Sequence, residues 1–99
     1  MSNEKWIEEI YQAQKEVCDI ELEYGKVIDQ IAKIEADLFL SGNLTGKTLK
    51  EKEAEILQHT YELHEKKRNL RYQFGLAKAR VKRLERLYES KVKTEPETI

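Results

Sequence analysis

Ninety-nine residues bound the chain to one small domain, and 37% charged residues with a single proline are the composition of long helices rather than of a sheet. No apolar run approaches the roughly 18 residues that a bilayer span needs, so a membrane protein is not expected. The formal net charge of -1 conceals an uneven distribution along the chain, and the one cysteine, Cys18, has no partner for an internal disulfide, which fits a reducing cytoplasm.

The N-terminus, MSNEKWIEE, is acidic and amphipathic, so it does not read as a signal peptide. Ser2 or Asn3 suits a helix cap, and Glu4, Glu8 and Glu9 suit the positive end of a helix. From there Trp6, Ile10, Ala13, Val17, Ile20, Tyr24, Val27, Ile31, Ile34 and Leu38 follow at alternating steps of four and three. That is a heptad seam, and it predicts one helix over residues 3–41. A second apolar stripe runs beside it through Ile7, Tyr11, Cys18, Gly25, Ile28, Ala32 and Phe39. Gly25 and Ala32 are small enough to admit a neighbouring helix.

The stretch SGNLTGKT, Ser41 to Thr48, has the spacing of a phosphate-binding loop, G-x-x-x-x-G-K-[ST], with Ser41 at the first position. Such a loop follows a strand and belongs to a sheet that carries a magnesium-binding acid. Here it follows a helical heptad, and no segment alternates as a strand does. Gly42 fits a left-handed helix C-terminus. Thr48 and Glu51 form the T-x-x-E pattern in which each side chain bonds the other's backbone amide. The stretch is therefore predicted to be a turn over residues 42–47.

A second helix is predicted over 48–93. Leu49, Ile56, Leu63, Leu70, Ala77 and Leu84 recur every seven residues, with Glu53, Thr60, Lys67, Phe74, Val81 and Tyr88 between them. Leu57, Tyr61 and His64 flank this wetter seam. Residues 94–99, with Pro96, are expected to be a disordered tail. The domain is thus 1–93. The fold class is all-α: two long antiparallel helices in a helical hairpin, with two hairpins pairing into a four-helix bundle. Folding about the turn is expected to set Ile31 opposite the Gln58 region and Val17 opposite the Tyr72 region.

Charge separates the two helices. Residues 1–41 hold ten acids and four lysines, whereas residues 66–93 hold eleven bases and two acids. Side by side they would partly neutralise each other. Arg68, Arg71, Lys78, Arg80, Lys82, Arg83 and Arg86, with Tyr72 and Tyr88 nearby, are the candidate contacts for nucleic acid or for an acidic protein. His59 and His64 are five apart, which does not bring two ligands to one helix face. The Glu residue three positions before a His that di-iron bundles use is absent, because Ile56 and Tyr61 stand there. No nucleophile has a base at readable spacing. No enzyme activity, catalytic residue, metal, cofactor or small-molecule substrate is expected.

The stretch ADLFLSGNLTGKTLKEKEAEI, followed by LAKARVKRLERLY, resembles small helical-hairpin proteins of bacteriophages and prophages. That resemblance spans about 50 residues and carries no assigned functional residues. It implies a cytoplasmic location in a host bacterium. It also implies a role in binding a host or defence complex as a modulator or inhibitor, or in assisting DNA replication and recombination.

The expected function is a protein-interaction module acting as a homo-oligomer. Its interface is expected at Ile7, Tyr11, Cys18, Gly25, Ile28, Ala32, Leu57 and Tyr61. A nucleic-acid accessory role through the basic second helix is the alternative, and an assembly scaffold is the third.

Overall fold

The structure is a computed structural model that describes residues 3–94, with side chains as far as Val92. It contains two helices, α1 (Asn3–Ser41) and α2 (Leu49–Thr94), and the described residues include no strand. The all-α helical hairpin is therefore the fold. The boundaries differ from the sequence reading by one residue: Thr48 is the cap rather than the first helical residue, and Thr94 is still helical. The Ser2 cap and the Pro96 tail lie outside the described residues.

The described residues form two compact units, 22–71 and 3–21 with 72–94. The first of these contains the turn. Gly42 ends α1 with φ +69°, a conformation that costs a glycine little and other residues more. Glu51 N–H donates to Thr48 Oγ1 at 3.1 Å, and Thr48 N–H donates back to Glu51 Oε2 at 3.4 Å, so the capping box is in place. The loop then folds along α2: Thr45 N–H donates to Glu55 Oε2 at 2.9 Å. Gly46 is what permits this approach, because a Cβ there would stand 2.8 Å from Glu51 Cβ and 2.9 Å from the Lys52 nitrogen.

This fold-back corrects the expected register. With Thr45 beside Glu55, the start of α2 lies ahead of the point where α1 ends. Leu49 (65% exposed) and Glu53, both predicted to point inward, accordingly face solvent. The seam of α2 begins instead at Ile56. Within the turn unit the shielded seam residues are Tyr24, Val27, Ile31, Ile34 and Leu38 on α1, and Ile56, Thr60, Leu63, Lys67 and Leu70 on α2. Matched in antiparallel order, Leu38 is level with Ile56 and Ile31 with Leu63, not with Gln58. The one fully buried polar side chain among the described residues is Thr60, and its hydroxyl donates to the Ile56 carbonyl at 2.9 Å. That bond satisfies the hydroxyl without a partner from the other helix.

The second unit repeats the pattern. Trp6, Ile10, Ala13, Val17 and Ile20 are shielded on α1, as are Phe74, Ala77, Val81, Leu84 and Tyr88 on α2. In antiparallel order Val17 is level with Ala77 rather than Tyr72. Two contacts across the helices agree with this: Arg80 Nη1 with Glu16 Oε2 at 3.1 Å, and Gln14 Nε2 donating to Glu85 Oε1 at 3.5 Å. Trp6 Nε1 is buried without a hydrogen-bond partner among the described residues.

Candidate interaction surfaces

The heptads give each helix two flanks beside its seam, and the flanks differ in chemistry. On one side of the α1 seam stand Glu9, Glu16, Glu23 and Asp37. Glu23 pairs with Lys66 at 3.2 Å in the turn unit, and Glu16 pairs with Arg80 in the other. All four of these side chains are roughly half exposed, which limits each pair to about 0.2–1 kcal/mol. Within its own unit each pair favours the flank of α1 that carries the acid as the one facing the base of α2.

The opposite flank is apolar. In the turn unit it presents Ile28, Ala32 and Phe39 from α1 and Leu57 and Tyr61 from α2, all classed by their accessible area as exposed, with Gly25 half-buried. Between the helices it opens a depression of about 320 Å³ lined by Phe39, Ile56, Leu57, Glu35, Glu53 and His64, with Thr60 also on its wall. A Cβ on Gly25 would meet nothing within 4 Å, so no contact inside the chain requires a glycine there. In the other unit the same flank carries Ile7, Tyr11 and Cys18, exposed, and a shallow, mostly apolar depression lined by Val17, Cys18, Val81, Lys78, Lys82 and Glu85. Every residue predicted for an interface is thus accessible except for the half-buried Gly25. Exposed Leu22, Leu76 and Leu87 were not anticipated; they lie outside the two stripes on which the sequence reading concentrated.

The predicted basic residues Arg68, Arg71, Lys78, Arg80, Lys82, Arg83 and Arg86 are all exposed. Of these, Arg80 is in an ion pair and Lys78 Nζ lies 5.2 Å from the centre of the Phe74 ring. Acids of α1 pair directly with Lys66 and with Arg80 of α2.

The phosphate-loop question has a geometric answer. The backbone N–H groups that would cradle a phosphate already hold carboxylates from α2. Lys47 N–H donates to Glu51 Oε2 at 2.7 Å, Thr48 N–H donates to the same oxygen, and Thr45 N–H and its hydroxyl donate to the two oxygens of Glu55. Those bonds to Thr45, chiefly the hydroxyl's, hold the Glu55 carboxyl below its usual range, with a smaller contribution from His59. Two carboxylates already occupying the donors would repel a phosphate. The SGNLTGK stretch is the turn between the helices.

Among the described residues no three His, Cys, Asp or Glu side chains are grouped so as to hold a metal ion, and no helix is long and apolar enough to cross a membrane. Comparison with known proteins found no matching family, curated protein or solved structure.

Proposed function

We propose that the chain is a protein-interaction module that works as a homo-oligomer, with the apolar flank as its contact surface. The observation that carries this reading is the exposed set Ile28, Ala32, Phe39, Leu57 and Tyr61 in one unit. A second copy is the occupant that the chemistry favours. The flank holds both large side chains (Phe39, Leu57, Tyr61) and small ones (Gly25, Ala32), so two identical faces can interlock about a two-fold axis.

Two hairpins joined this way make a four-helix bundle with its charged faces outward. Those faces then serve a further protein partner. The resemblance to phage-encoded hairpins suggests a host or defence complex whose activity the bundle modulates or inhibits, and a location in the bacterial cytoplasm. The reading assigns the chain no catalytic role.

Size-exclusion chromatography with light scattering tests the first step. The expected result is a dimer or larger species that persists at high salt, because the contact is apolar, and that dissociates in the Ile28→Glu, Tyr61→Glu double variant. A wild-type monomer at tens of micromolar, or a variant with unchanged mass, would sink the proposal.

A further inference from the structure

We propose that the outward face of α2 in residues 72–92 binds the phosphate backbone of a single-stranded nucleic acid, using Lys82, Arg83 and Arg86, with Lys78 and Arg80 beside them. Arg83 and Arg86 lie off the apolar flank, whereas Lys78 and Lys82 border its depression beside Val17 and Cys18; the binding does not depend on self-association.

Three observations meet here. The first is exposure without pairing. No ion pair among the described residues involves Lys78, Lys82, Arg83 or Arg86, and Arg80 keeps 60% of its side chain exposed while bonded to Glu16. The second is crowding of like charge. Lys78 and Lys82, Lys82 and Arg86, Arg80 and Arg83, and Arg83 and Arg86 are each three or four residues apart on one helix. Such neighbours repel and weaken a helix. Lys78, Arg80 and Arg83 have no acid at helical spacing to offset this, because the positions three and four away hold no Asp or Glu. A cluster that weakens its own helix is relieved when an anion neutralises it. The third is Tyr72, which is 70% exposed on the same side of α2 and offers a flat ring on which a base can stack.

The partner's chemistry follows from these residues. Guanidinium groups take phosphate oxygens two at a time, and three of the five bases are arginines. Lys78 to Arg86 spans about 12 Å of helix, enough to follow two or three successive phosphates. A second copy's α1 is a poorer match. Its outward face mixes Glu8 and Asp19 with Lys5 and Lys15, so it presents no field of a single sign.

Fluorescence anisotropy with a labelled single-stranded oligonucleotide of mixed sequence tests the proposal on the full chain. Binding is expected at low salt. It should weaken about 20-fold between about 50 and about 200 mM salt if about three phosphates are contacted. The Arg83→Glu, Arg86→Glu double variant should lose binding while retaining its helicity and its elution volume. Tyr72→Ala should weaken binding about tenfold without changing the salt slope. Absence of binding at low salt would overturn the proposal. So would undiminished binding by the double variant, or equally tight, equally salt-sensitive binding of a poly-glutamate chain, which would reassign the face to an acidic protein surface.

Discussion

At the residue scale the turn is set by a few short contacts that can be tested separately. Glu55 accepts from the Thr45 amide and hydroxyl, and its folded-state pKa is lowered from the ordinary 4.5 by those bonds. A depressed carboxyl contributes stability that is complete above the unfolded value and is lost as pH falls through the folded one. Thermal melts of the wild type and Glu55→Gln should therefore differ at pH 7 and converge as the pH falls below the ordinary 4.5 and through the lowered folded-state value. A gap that stays constant with pH would show that the clamp does not depend on the charge. The glycines give opposite expectations. Gly46→Ala forces a Cβ into Glu51 and Lys52 and should cost about 1–3 kcal/mol. Gly75→Ala meets nothing within 4 Å in mid-helix and should gain about 0.5–1 kcal/mol. Urea titration of the two variants separates a glycine needed for approach from one that is not.

At the element scale the two helices were legible in the sequence because the seam is periodic. All ten α1 positions predicted to point inward are shielded, and the capping box marks the start of α2. The register was not legible. Symmetry about the turn was the only guide available, and it assumes that the loop simply caps both helix ends. The loop instead lies along α2, held by Glu55, whose bond to Thr45 is ten residues away and has no short-range pattern. Leu49 and Glu53 continue the heptad in sequence but are exposed, Glu53 on the rim of the depression it shares with Glu35 and Phe39. A pair of substitutions checks this placement. Ile31→Asp puts an unpaired charge at a buried seam position and should cost about 3–5 kcal/mol. Leu49→Asp, at a position of the same predicted seam, should stay within about 0.5 kcal/mol of wild type. Equal losses in circular-dichroism melts would restore the original register. The candidate surfaces were legible as residue types, since a stripe beside a seam and a run of bases are visible in one dimension. Which bases are paired was not, because it depends on the register and on which flank faces which.

At the scale of the whole molecule the question is what stabilises so thin a core. The buried apolar residues are Ala13, Val27, Ile31, Ile56, Leu70 and Ala77, two of them alanines. At roughly 1.5–3 kcal/mol for each larger side chain, such a core leaves little margin against the entropy of ordering two long helices. Ile28, Phe39, Leu57 and Tyr61, meanwhile, remain in water. If a second copy covers them, folding and association are linked, and stability depends on concentration. The melting temperature should then rise steadily as protein concentration is raised a hundredfold. Ile28→Glu with Tyr61→Glu should abolish that dependence and hold the variant at or below the wild type's low-concentration value. The salt response separates the two surfaces. An apolar contact between copies should be kept or strengthened as salt rises, whereas repulsion among Lys82, Arg83 and Arg86 should be screened in wild type and variant alike. Calorimetry at two concentrations and two salt levels reads both effects. A melting temperature independent of concentration would mean that the hairpin stands alone and the apolar flank awaits a different protein.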